Sequence, residues 1–171
     1  NDKRVLVIDA DMRKGYMQRV MGQKMGPGLS SYLAGQIPKE ELISASGFDG
    51  LDFICRGAVP PNPSELLMHP RLKELLDWAS QQYDFVLVDT PPILAVTDAA
   101  IVGQHVGASL LVVRFAKTVV KEVEVAIRRF EQNGVTIKGI LLNAVEKTAS
   151  GYYGNYGYYQ YHYKSSDKVE S

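Results

Sequence analysis

Five short apolar runs divide the chain: RVLVID at 4–9, LDFIC at 51–55, FVLVD at 85–89, ASLLVVR at 108–114 and IKGILLN at 137–143. They are β-rich and apolar at successive positions, the pattern of parallel strands covered on both faces by helices. Between them the period changes. In PRLKELLDWASQQ, Leu72, Leu75, Leu76 and Ala79 recur at i, i+3, i+4 and i+7, and Pro70 stands where a helix begins. In TVVKEVEVAIRRFEQNG the residues Val120, Val123, Ile127 and Phe130 repeat the pattern, with Thr118 the expected N-cap and Gly134 the expected stop. Strand and helix alternate, which predicts an α/β fold with one open, mostly parallel sheet flanked by helices. Such folds bind ligands beyond the carboxyl ends of their strands.

From about Thr148 the periodicity ends, and Gly, Tyr, Ser and polar residues take over in GYYGNYGYYQYHYKSSDK. The expected organisation is therefore a folded domain over 1–147 and a disordered, tyrosine-rich tail over 148–171. That tail holds Tyr152, Tyr153, Tyr156, Tyr158, Tyr159, Tyr161 and Tyr163, seven of the ten tyrosines in the chain. Flexible hydroxyls are what a modifying enzyme can reach.

Composition narrows the field by exclusion. At 46% hydrophobic and 22% charged residues, with zero formal net charge, there is no electrostatic reason to expect nucleic acid or an anionic membrane as partner. The single cysteine, Cys55, lies in an apolar run and reads as a small buried hydrophobe, which suits a reducing compartment. His69, His105 and His162 are scattered, so a zinc site is not expected. No apolar run reaches the roughly 18 to 20 residues of a membrane span and no signal peptide opens the sequence. The expectation is a soluble chain without direct membrane contact.

Candidate chemistry sits at two strand ends. VLVIDADMR places Asp9 at the end of one strand and Asp11 two residues on, and FVLVDTPP places Asp89 at the end of another before a Pro-Pro turn. Three carboxylates at one sheet edge are costly unless a cation neutralises them. Magnesium with nucleotide phosphates is the natural occupant, because it takes one or two carboxylates together with waters and phosphate oxygens. The plainer alternative is that each aspartate only caps the turn that follows it.

VLVIDADMRKG resembles the Walker A′ motif, and FVLVDTPPIL the Walker B motif, of the bacterial tyrosine kinases (BY-kinases). RGAVPPNPSELLMHPRLKELL and the terminal tyrosine cluster are similar to the Wzc/Etk polysaccharide co-polymerase branch of that family. The resemblance implies a P-loop NTPase-like domain using ATP and Mg2+, and an autokinase that regulates capsule and exopolysaccharide synthesis and export. It implies that Asp9, Asp11 and Asp89 are catalytic and metal-site residues, with Asp9 the base for an incoming tyrosine hydroxyl. Arg13 and Asn143 would contact the nucleotide, Asn143 at the adenine edge. Tyr16 would be an internal regulatory phosphorylation site and Arg56 the partner of its phosphate. The seven tail tyrosines would be autophosphorylated in trans, one subunit presenting them to its neighbour in a homo-oligomeric ring. Each phosphate adds about −1.5 to −2 charges, so full modification would place on the order of −10 to −14 on the tail and disperse the ring. Further implied partners are a low-molecular-weight tyrosine phosphatase and the export machinery, with the parent protein at the cytoplasmic face of the bacterial inner membrane.

The sequence departs from that family in one respect: GxxxxGK[ST] occurs nowhere in it. In the family that phosphate loop lies on a strand and helix just before VLVIDADMR, and the strand is central to the sheet. The expectation is the C-terminal part of a kinase, inactive alone and with unpaired strand edges. Three rival readings remain. A response-regulator receiver has acidic strand ends, but Asp11 and Asp89 lie too far apart for one. A MinD/ParA-type ATPase would carry a basic amphipathic membrane helix at the C-terminus, and this tail is neither basic nor amphipathic. A non-catalytic fragment serving as phosphorylation substrate or partner fits the absent loop.

Overall fold

The computed structural model describes residues 3–22, 24 and 26–146. The tail tyrosines, His162 and the proposed 148–171 segment lie outside the described residues. The elements run β1 (Val5–Asp9), α1 (Met17–Val20), α2 (Leu29–Leu33), a 3-10 turn (Lys39–Glu41), β2 (Ser44–Ala45), β3 (Leu51–Ile54), α3 (Pro63–Leu67), α4 (Pro70–Gln82), β4 (Phe85–Asp89), α5 (Asp98–Gly103), β5 (Ser109–Arg114), α6 (Val120–Gln132) and β6 (Ile137–Asn143).

All five anticipated strands form, but not as one sheet. β2-β3-β1-β4 make a four-stranded sheet, with β2 antiparallel and the other three parallel, while β5 and β6 pair separately as a parallel ribbon. β4 and β5 do not hydrogen-bond to each other, so each presents a free edge. Between them lies a cavity of about 470 Å³, bounded by Val88 and Asp89 on one side and Leu110 to Val113 on the other. The single five-stranded sheet is thus corrected to two pieces flanking a slot. The free edges of β4 and β5 match the expectation of unpaired strand edges.

The expectation of strands buried on both faces fails at the same place. Phe85, Leu87, Leu110 and Val112 are 55 to 60% exposed. β1 meets the expectation, with Leu6 and Ile8 fully buried between its neighbours and the helices. Its core is closed by Leu72, Leu75 and Ala79 of α4, each at 0% exposure, as the helical period anticipates. Pro70 does start α4, where its missing N–H costs nothing, and the His69 side chain accepts from the Arg71 amide at 3.3 Å.

α6 needs two corrections. Val120 is exposed, and its buried face is made by Ala126 and Phe130 with Val123 and Ile127 half-buried. Thr118 is not the N-cap: Val119 holds that position, and the Thr118 hydroxyl instead accepts from the Arg114 amide at 2.9 Å, closing the turn that leaves β5. The predicted stop holds. Gly134 follows the C-cap Asn133 with φ +72, a left-handed conformation that glycine adopts without steric cost.

Candidate active site at the carboxyl edge of β1 and β4

The site begins with a register. β1 and β4 run parallel, with Asp9 opposite Asp89 at their last residues. The Ala10 amide continues the ladder to the Asp89 carbonyl at 2.8 Å, so the two acidic strand ends are held side by side. From Asp9 the chain folds back over itself. The Asp9 carboxylate accepts the Asp11 amide on Oδ1 and the Met17 amide on Oδ2, both at 3.2 Å. Asp11 Oδ1 in turn accepts the amides of Arg13 at 3.1 Å and Lys14 at 2.9 Å, and its carbonyl accepts the Gly15 amide at 2.7 Å. Met12, fully buried, pins the turn to the core.

Gly15 closes the loop over Asp9. A Cβ at this position would stand 2.5 Å from Asp9 Oδ2 and from the Asp11 carbonyl, so only glycine permits the approach. Asp9 is consequently fully buried. Burial chiefly pushes its carboxyl pKa up, with the charges of Asp89 and Asp11 adding to the rise against the two backbone N–H donors. Asp89 is raised as well, by burial first and by Asp11 second. These are the electrostatics of a site short of positive charge. Among the described residues no three His, Cys, Asp or Glu side chains form a metal cage. Mg2+ could still be held here by one or two of the carboxylates, completing its shell with water and phosphate.

The site is braced from three sides, two of them on this loop. The Arg56 guanidinium, just beyond β3, donates from Nε to the Gly15 carbonyl at 3.0 Å, which places it next to the backbone of Tyr16. Tyr16 is 59% exposed and has the Arg19 guanidinium 5.4 Å from its ring centre. Arg13 reaches sideways to Asp98 at the start of α5, with Nε 3.0 Å from Oδ2. On the Asp89 side, the Pro91–Leu94 turn is held by Arg129 of α6, whose guanidinium donates to the carbonyls of Ile93 at 3.1 Å and Leu94 at 2.8 Å.

Asn143 stands apart, at the end of β6 on the far piece of the sheet. Its carbonyl accepts the Phe115 amide at 2.9 Å and its side-chain oxygen accepts the Ala144 amide at 2.7 Å. Ala116 and Ala144 follow the ends of β5 and β6 with φ 53 and 56. Left-handed alanines cost about 1 kcal/mol or more each and gather where a fold serves a ligand rather than itself. The structure thus sets Asp9, Asp11 and Asp89 within electrostatic reach of one another without the expected three-carboxylate metal cage, turns the Arg13 side chain to Asp98, sets Arg56 against the loop before Tyr16, and leaves Asn143 across the slot. Sequence reading missed Asp98, Ser64 and Arg129. Ser64 lay inside the quoted PNPSELL stretch, whereas Asp98 and Arg129 carried no motif.

No protein-family profile matches the chain. The fold is shared with a Pyrococcus horikoshii MinD, on which the chain superposes with TM-score 0.65 at 23% identity, over 82% of this chain and 58% of that one, a likeness of fold alone. Much nearer is the kinase domain of the Escherichia coli tyrosine kinase ETK, with TM-score 0.84 and 51% identity over 95% of this chain and 61% of that domain. The VpsO kinase domain matches with TM-score 0.78 and 31% identity over 84% of this chain and 71% of its own length. The Salmonella typhi tyrosine-protein kinase wzc is 54% identical over 97% of this chain. The chain belongs to the bacterial tyrosine kinases of the Wzc/Etk group, within their kinase domain. It spans 23% of the length of wzc, roughly a quarter of the curated relatives it matches.

Proposed function

We propose that this chain is part of an ATP-dependent protein-tyrosine autokinase that governs capsule or exopolysaccharide synthesis and export. The observation that supports it most is the pairing of Asp9 with Asp89 at the carboxyl edge of two parallel strands, beside a slot that is open between β4 and β5. Phosphoryl transfer needs little covalent help from a protein, and what it needs is aligned oxygens and neutralised charge. Asp11 and Asp89 would hold Mg2+, directly or through water, and that ion supplies charge neutralisation at the ATP phosphates. Asp9 accepts the proton from the incoming tyrosine hydroxyl, a role favoured by its raised pKa. In the arrangement described, Gly15 covers it, so base action requires the 10–16 loop to lift. Asn143 reads the adenine edge, and Arg13 steadies the loop that faces the nucleotide.

The free edges of β4 and β5 on either side of the slot could pair with one further strand. In the longer relatives the strand preceding VLVIDADMR carries the phosphate loop, and we assign that strand to the space between β4 and β5. By itself the chain then presents carboxylates and substrate tail without the amides and lysine that cradle the β- and γ-phosphates, and it acts as substrate rather than enzyme. The parent assembles as a ring at the cytoplasmic face of the inner membrane. Its subunits exchange tails, and a low-molecular-weight tyrosine phosphatase together with the export machinery completes the cycle. Among the described residues no helix is long and apolar enough to cross a membrane.

The test is ATP-dependent tyrosine phosphorylation by two purified proteins, this 171-residue chain and the same chain extended through the upstream phosphate loop. The extended protein should label itself, and Asp11→Asn or Asp89→Asn should abolish labelling. Labelling by the short chain alone, or none by either, would overturn the reading.

A further inference from the structure

The PNPSELL stretch marks the family, yet nothing in the kinase reading above uses it. The structure gives its serine a task. Ser64, in the first turn of α3, donates its hydroxyl to Asp98 Oδ1 at 2.6 Å and accepts from the Arg13 guanidinium at 3.0 Å. Arg13 closes the ring with two further bonds to Asp98, Nε to Oδ2 at 3.0 Å and the second nitrogen to Oδ1 at 3.3 Å. Three elements distant in sequence therefore meet at one carboxylate: the loop after β1, helix α3 and helix α5.

We propose that Asp98 is a positioning residue for the phosphoryl-transfer site, fixing Arg13 and through it the turn that aims Asp11, with Ser64 as the second support of the same carboxylate. The inference rests on the kinase reading for what Asp11 does, but not for the brace itself. Three facts carry it. Asp98 is fully buried, while the Arg13 side chain is 37% exposed, so the pair runs from the interior to the surface on which Asp11 stands. A buried carboxylate left without its partner is strongly unfavourable, so Asp98 holds the guanidinium in one place rather than offering one contact among several. The fork geometry of arginine fixes direction as well as distance. Finally, Arg13 is not remote from the chemistry. Its own amide, and that of Lys14, are the donors that orient Asp11 Oδ1, so moving the Arg13 backbone turns the Asp11 carboxylate.

The same geometry accounts for the motif. Helix α3 packs against α5, and Ser64 is where it reaches the shared carboxylate. A shift of α3 would reach Asp11 by way of Asp98 and Arg13.

The experiment uses the intact kinase, with Asp98→Asn and the milder Ser64→Ala. Two readings are taken: the Mg2+ concentration giving half-maximal autophosphorylation, and hydrogen exchange at the amides of Lys14, Gly15 and Met17 without nucleotide. Supporting residues around metal ligands typically change metal affinity by 10-fold or more, so Asp98→Asn should raise the Mg2+ requirement roughly 10-fold and Ser64→Ala less. Exchange at 14–17 should quicken in both variants, while that at Phe53 and Ile54 of β3 stays as in the wild type. A loss of maximal rate with the Mg2+ requirement and loop exchange unchanged would show a purely structural role and overturn the proposal. Should Asp98→Asn not fold, Ser64→Ala decides by the same two readings. A wild-type protein without kinase activity would defeat the kinase reading alone, since loop exchange still judges the brace.

Discussion

Asp9 and Asp89 end neighbouring parallel strands as register partners, and the pKa of each is held above the ordinary 3.8 of an aspartate, chiefly by burial. The sign of the resulting pH dependence follows. A carboxyl whose pKa is raised on folding binds protons more tightly in the folded state, so its contribution to stability falls as pH rises from 3.8 through the raised value. At neutral pH the ionised pair is therefore a destabilising feature of the fold. Asp89 itself lies at the exposed end of β4, and Asp89→Asn removes the charge that weighs on the buried Asp9. In buffer containing a metal chelator it should raise the thermal midpoint at pH 7, and the gain should shrink towards zero below about pH 3.8. Thermal unfolding of both proteins across that range checks it, and a gain independent of pH would contradict the assignment.

The slot yields a comparison between two lengths of chain. Val112 is 60% exposed on the free edge of β5, where a charge is readily solvated. If an upstream strand fills the slot, the same side chain is buried in the longer protein. Val112→Asp should then change the stability of the 171-residue chain by no more than about 0.5 kcal/mol. In the extended protein it should cost several kcal/mol, because a buried carboxylate without a partner is expensive. Denaturant titration of the four proteins gives the answer. Equal, small effects in both would leave the slot without an occupant.

How much of this was legible in the sequence depends on whether the signal was local. Asp9 and Asp89 were readable because each closes an apolar run, and Asp11 because it follows Asp9 by two residues, at the edge where parallel sheets bind ligands. Leu72, Leu75 and Ala79 were readable because the helical period is written in consecutive turns. The division of the sheet between β4 and β5 could not be read from those runs, since strand order depends on edges that only packing reveals. Phe85 and Leu87 look like core residues for the same reason: an apolar run does not say which strand edge stays unpaired, and here both side chains are exposed. Thr118 and Val120 show the limit at finer scale. A threonine before a helix can turn its hydroxyl to either side, and this one closes the turn behind it. Asp98 was illegible because its partner Arg13 is distant in the chain, and nothing in VTDAA reports a guanidinium.

Arg129 is the second such long-range contact, and it tests the Asp89 side of the site. Its two bonds to the Ile93 and Leu94 carbonyls tie α6 to the turn that follows Asp89. Hydrogen bonds to a charged donor contribute about 1.5 to 3 kcal/mol, so Arg129→Met, which keeps much of the apolar stem, should lower unfolding free energy by an amount in that range. In the extended kinase it should also reduce phosphorylation while leaving the tail a good substrate for wild-type enzyme. A variant as stable and as active as the parent would show that the Pro-Pro turn holds its own shape.

The tail separates substrate from enzyme. If Tyr152, Tyr153, Tyr156, Tyr158, Tyr159, Tyr161 and Tyr163 are the acceptors, an intact kinase of this family should phosphorylate the 171-residue chain in trans. Mass spectrometry should then find phosphate concentrated on those positions. Tyr32 and Tyr83 are 7 and 8% exposed, and the Tyr83 hydroxyl is engaged with Asp52 at 2.8 Å, so both should stay largely unmodified. Replacing all seven by Phe keeps the rings and removes only the hydroxyls, so incorporation should fall sharply while the thermal midpoint of the folded part is unchanged. Partial replacements should follow the number of tyrosines left rather than their identity, because each phosphate adds a similar charge and the accumulated charge is the proposed signal. Tyr16, being exposed, is the internal site that should retain label in the seven-Phe chain. If that chain incorporates as much phosphate as the original, the acceptors lie elsewhere and the charge-dispersal account of the ring falls with them.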